Sequence, residues 1–74
     1  MDWVYVTRFV RTENNKDRVQ PLIDENIRHW KDVSLDVGLD PEKNVAVEEK
    51  GSEVFIAISK DLDITLSEEP GEWK

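Results

Sequence analysis

The sequence predicts one small α+β domain. Its N-terminal strand is followed by one amphipathic helix packed on one face of a mostly antiparallel sheet, in the order β-α-β-β-β(-β). Three observations carry this. Val45–Ser59 reads as a β-hairpin, Trp3–Val10 as a separate strand, and the segment between them holds an apolar stripe at helical spacing.

In Trp3–Val10 (WVYVTRFV) one face carries Trp3, Tyr5, Thr7 and Phe9, the other Val4, Val6, Arg8 and Val10. A strand apolar on both sides is usually covered on both. Burying Arg8 without a partner is costly, so the aromatic set is expected to point inward and the valine set outward. Arg11–Lys16 is a polar turn. Asp17 can cap a helix, with Pro21 in its first turn. Val19, Leu22, Ile23, Asn26, Ile27 and Trp30 then form one stripe, giving a helix over about 17–31.

Val33, Leu35, Val37 and Leu39 alternate with Ser34, Asp36, Gly38 and Asp40. Val33 and Val37 also continue the helical stripe, and Gly38 suits a helix C-cap, so 33–39 reads as a strand or as a helix extension. Four alternations favour the strand. Asp40-Pro41-Glu42-Lys43 then becomes a turn with Asn44 left-handed, leading into a second hairpin that pairs Val37 with Val47 and Asp36 with Glu48.

In the main hairpin, Val45 and Val47 alternate with Ala46 and Glu48. Val54, Ile56 and Ile58 alternate with Phe55, Ala57 and Ser59. Gly51-Ser52 fits a two-residue turn with glycine where positive φ is required. That register sets Lys50 against Glu53, Val47 against Ile56 and Val45 against Ile58, joining opposite charges and apolar pairs. Leu62, Ile64 and Leu66 suggest a further strand. Residues 67–74, with a Pro-Gly turn and Trp73, form a tail or fold back on the core.

A chain of 74 residues buries only about 60% of its unfolded surface and supports one modest core. It has no cysteine, so neither a disulfide framework nor a thiolate zinc site is available. No apolar run approaches the roughly 20 residues that span a bilayer, and the N-terminus lacks the pattern of a secretion signal. A cytoplasmic location without membrane contact is expected. Residues 1–30 balance Asp2, Glu13, Asp17, Asp24 and Glu25 against Arg8, Arg11, Lys16, Arg18 and Arg28, so the whole net charge of −7 lies in the remainder. Such a field repels nucleic-acid backbones and attracts basic partners, so no direct nucleic-acid binding is expected.

Nothing in the residue pattern points to catalysis. His29, the one histidine, has no serine placed with it as a nucleophile. Asp61/Asp63 and Glu68/Glu69 are carboxylate pairs too common here to single out an acid–base couple. Asp36, Asp40, Glu42 and Asn44 lack the spacing of a calcium loop. No cofactor, metal or catalytic residue is therefore assigned. The expected function is non-enzymatic: an acidic inhibitor or adaptor that offers a carboxylate-rich sheet face to a basic protein surface, one form of which imitates nucleic-acid phosphates. Its contacts would be Asp36, Glu48, Glu49, Glu53, Asp61 and Asp63, with Phe55 as apolar anchor. The alternative is a self-associating structural subunit, a homodimer or larger homo-oligomer formed through the same face or an edge strand.

Overall fold

The computed structural model describes residues 2–67. Its elements run β1 (Trp3–Val10), α1 (Lys16–Asp36), α2 (Pro41–Asn44), β2 (Val45–Lys50), β3 (Glu53–Ser59) and α3 (Lys60–Ser67). The three strands form one antiparallel sheet in the order β1-β3-β2, and the fold is α+β with an N-terminal strand followed by a helix. The expectations for 68–74, Trp73 among them, lie outside the described residues.

The hairpin has the expected register: Lys50 faces Glu53, Val47 faces Ile56 and Val45 faces Ile58. Gly51 takes φ +60°, which a side chain rarely tolerates, and this closes the two-residue turn. Val54, Ile56 and Ile58 point to one side. There they bury with Ile23, Val45 and Leu62, surrounded by half-buried Val19, Ile27, Trp30, Val33, Val37, Leu39 and Leu66.

Two expected strands are helical. α1 does not stop near Lys31 but runs to Asp36, so 33–36 is a helix extension and 37–39 its C-terminal closure rather than a strand. It also starts earlier than expected, with Asn15 at the cap and Asp17 inside the first turn; Pro21 falls beyond that turn, in the helix interior. Gly38 has φ +82°. Its N–H donates to Leu35 O at 3.0 Å and that of Leu39 donates to Ser34 O at 2.9 Å, which is the Schellman pair that satisfies terminal carbonyls. Ser34 Oγ also donates to Leu39 O at 3.1 Å. The strand alternative would have set Asp36 against Glu48, two like charges across a ladder, and helix closure avoids that repulsion. Leu35 separates the two periodicities: alternation assigns it to the core, yet it is 60% exposed while Val33 and Val37, four apart, pack inward.

The same contest is decided the same way at 60–67. Ser59 Oγ accepts the Leu62 N–H at 3.0 Å, capping α3, whose first turn carries Asp61 and Asp63 where the helix dipole favours negative charge. Leu62 and Leu66 pack inward; Ile64 is 42% exposed. The second hairpin is also replaced. Asp40 caps the single turn of α2 by accepting the Glu42 N–H, Pro41 is the first helical residue, and Asn44 has no positive φ. Asn44 is buried instead. Its amide donates to Asp40 O at 2.7 Å, and its carbonyl accepts the Ser59 hydroxyl at 2.6 Å.

β1 corrects the expectation for its facing. Its ladder with β3 shifts register between Tyr5 and Thr7, a bulge at Val6. The extra residue reverses the alternation. Val4 and Val6 point to the core before the bulge, and Thr7 and Phe9, set against Ile56 and Val54, after it. Trp3, Tyr5, Arg8 and Val10 take the outer face. Each expected set is thus split in two, and Arg8 reaches solvent without loss of the core contacts.

Ser59 links three elements: it ends β3, caps α3 and holds Asn44 at the end of α2. Ser59→Ala should therefore cost about 2 kcal/mol, since it removes a cap and strands the buried Asn44 carbonyl oxygen. Urea unfolding measures this; a loss within a few tenths of a kcal/mol would mean the network carries no weight.

Candidate functional site

All three helices leave the outer sheet face uncovered. Because the β1 bulge has moved two aromatics there, the face reads in rows across the sheet. Tyr5, Ala57 and Ala46 form one row, Arg8, Phe55 and Glu48 the next, and Val10, Glu53 and Lys50 the third. Ala57 is the hinge of this arrangement. Strands lie about 4.8 Å apart, so a side chain on β1 reaches one on β2 only over a small residue on β3. The Tyr5 hydroxyl, on β1 opposite Ala57, donates across the sheet to Glu48 Oε1 on β2. Ala57 is left 3% exposed. The Tyr5 ring meets Phe55 at 5.2 Å between centroids and a tilt of 45°, a favourable aromatic geometry.

Tyr5 stands as a ridge between two shallow hollows. One, of about 310 Å³, lies against Val6, Thr7, Arg8 and Phe55. The other, of about 280 Å³, is lined by Trp3, Tyr5, Ala46, Val47, Glu48 and Ala57. A larger polar crevice of about 520 Å³ opens beside the start of α1, lined by Arg11, Glu13, Lys16, Asp17, Gln20, Pro21 and Asp24. Its charges are mixed, and Arg11 is already engaged by Gln20 and Glu49.

The expected contact residues divide. Glu48, Glu53 and Phe55 share the outer face. Glu49 does not: it pairs with Val54 on the helix side and binds Arg11. Asp36 ends α1, far from the expected place opposite Glu48, and Asp61 and Asp63 belong to the first turn of α3 rather than to the sheet. That turn sits at the end where β1 begins, since Lys60 N–H donates to Asp2 O at 3.0 Å. Trp3 and Tyr5 were not among the expected contacts; only a bulge in an otherwise regular alternation could have revealed them, and the sequence of β1 carries no glycine to mark one.

The electrostatics separate the three sheet carboxylates. Glu53 pairs with Arg8 and Glu49 with Arg11. Among the described residues Glu48 forms no ion pair and receives only the Tyr5 phenol. That hydrogen bond, aided by burial and by the carboxylate charge, raises the Tyr5 pKa above the ordinary phenol value. His29 is exposed at the edge of α1, its ring set edge-on to Trp30 at 5.3 Å. Among the described residues no group of three or more His, Asp or Glu could hold a metal, and no helix is long and apolar enough to cross a membrane. No protein-family model, curated protein or solved structure matches this chain.

Tyr5 is the only tyrosine, so its titration can be followed without ambiguity. Its phenol should ionise above the ordinary value of about 10, and Glu48→Gln should move it back down. A raised folded-state pKa contributes stability that is complete below the unfolded pKa and is lost only as pH rises through the folded one. The pH dependence of this contribution is therefore confined to alkaline solution. Ultraviolet absorbance titration of both proteins checks this, and identical curves would remove the Tyr5–Glu48 contact.

Proposed function

We propose that this chain is a non-enzymatic protein-binding module, an inhibitor or adaptor, that meets the basic surface of another protein with its outer sheet face. The observation that carries the reading is the pair of rings Tyr5 and Phe55 in adjacent rows of the outer face, extended by Trp3 and edged by Glu48, whose carboxylate forms no ion pair among the described residues. Aromatic side chains left in water beside a carboxylate suit an interface core with a polar rim. The chain's charge of −7 adds a long-range field that speeds encounter with a cation-rich partner. Phosphate imitation would call for a run of unneutralised carboxylates. Pairing of Glu53 with Arg8 and of Glu49 with Arg11 favours the aromatic contact over such mimicry. Asp36, Asp61 and Asp63 contribute to the field rather than to the contact.

The test is affinity capture from lysate at low and high salt, with identification of what is bound. A Tyr5→Ala/Glu48→Lys double variant should lose a partner that the wild type retains at low salt. An Asp61→Asn/Asp63→Asn variant should bind it more slowly but keep it. Capture insensitive to both salt and the face variant would count against the module.

A second reading has its own observation. Among the described residues β1 and β2 are both edge strands, and β1 exposes Trp3, Tyr5 and Val10 beside its edge. A copy of the chain could add there, making the protein a homo-oligomer. Sedimentation velocity over a range of concentrations separates the two: a single monomeric species throughout removes self-association.

A further inference from the structure

We infer that the hollow between Trp3 and Tyr5 is a binding site for one arginine side chain of the partner protein. This deepens the proposed function and rests on it. At about 280 Å³ and open to solvent, the hollow is at the small end for a compact ligand and suits a single side chain. It is lined by the aromatic residues Trp3 and Tyr5 together with Ala46, Ala57, Val47 and Glu48, and Ala46 and Ala57 are paired side by side in the sheet. Aromatic faces attract a cation through their quadrupole, most strongly for tryptophan. Trp3 takes part in neither of the aromatic contacts found among the described residues, so its ring is not committed to another.

Charge complementarity selects the occupant. Glu48 lies at the edge of the hollow, and it alone of the three sheet glutamates lacks an arginine among the described residues. Its Oε1 holds the Tyr5 hydroxyl, and no donor among the described residues occupies Oε2. An entering guanidinium would take the place that Arg8 takes at Glu53 and Arg11 at Glu49. Arginine fits better than lysine for a geometric reason. A planar, weakly hydrated guanidinium stacks on one ring while donating in its own plane to a carboxylate. An ammonium needs several faces to replace its water, and two aromatic residues in an open hollow do not supply them.

The test titrates isotope-labelled full-length protein with the blocked tripeptide Ala-Arg-Ala, and with its lysine and citrulline analogues, while NMR reports on the Trp3 indole and the amides of Tyr5, Ala46 and Ala57. The arginine peptide should shift these signals with an affinity at least about threefold above the lysine peptide, and the uncharged citrulline peptide should not bind. Glu48→Gln, close in shape to the native residue, should weaken binding about fivefold. Tyr5→Phe keeps the ring and releases Oε1, so it should bind at least as well as the wild type. Shifts spread over the acidic helices, equal response to arginine and lysine, or indifference to Glu48→Gln would each overturn the site. Such a result leaves the module to be judged by capture alone. Face-dependent capture with a silent hollow removes the arginine site and not the module.

Discussion

β3 is the element on which the others depend. It is hydrogen-bonded on both edges, and its residues Val54 and Ile56–Ser59 are buried almost without exception. Its even residues make the floor on which α1 and α3 rest. Its odd residues set the outer face, where small Ala57 permits contact across the sheet. Its last residue, Ser59, is shared between strand, helix cap and the buried Asn44 amide. A strand so placed has no solvent-facing edge of its own and is held by long-range contacts along both edges and on its core face. Its packing therefore sets the geometry of both the core and the outer surface.

Local chemistry made the hairpin legible. Alternation, a turn glycine and cross-strand pairs all agree from Val45 to Ser59, and the register is the one they dictate. The segments 33–39 and 60–67 were not legible in the same way, because an apolar residue at every second position also places residues at i and i+4 on one helical face. Leu35 and Ile64 are the residues that only a strand would bury, and both are exposed. What decided each case was a terminus: the Gly38 closure for α1 and the Ser59 cap for α3. Both signals are in the sequence, but they act through hydrogen bonds that form only once the helix exists. Alternation therefore prevails in a reading of composition alone.

The outer face was legible in its β2–β3 part and hidden in its β1 part. Glu48, Glu53 and Phe55 follow from the hairpin register. Trp3 and Tyr5 follow from the bulge at Val6, which no residue type announces. The bulge resolves a conflict already present in β1. Neither parity of that strand can be buried whole: one includes Arg8, the other too many aromatics for one small core. Splitting the strand lets Val4, Val6, Thr7 and Phe9 face inward while Arg8 meets Glu53 in solvent. An irregularity that solves a packing problem thereby sets two aromatic rings on the open side.

This placement also changes the meaning of the charge. Net charge counted along the chain suggests that every acid of the second half contributes alike. In three dimensions, arginines from the electrically neutral first thirty residues fold onto two of the hairpin's glutamates, Arg8 onto Glu53 and Arg11 onto Glu49. Exposed ion pairs of this kind add little stability, but they cancel local field. Among the described residues, what remains near the aromatic rings without an ion pair is Glu48, tied to a phenol that carries no opposing charge. A surface with many acids would favour any cation equally. At the proposed site, one acid without an ion pair among the described residues stands beside two aromatic residues, and on that proposal selectivity would come from the rings rather than from the count of carboxylates.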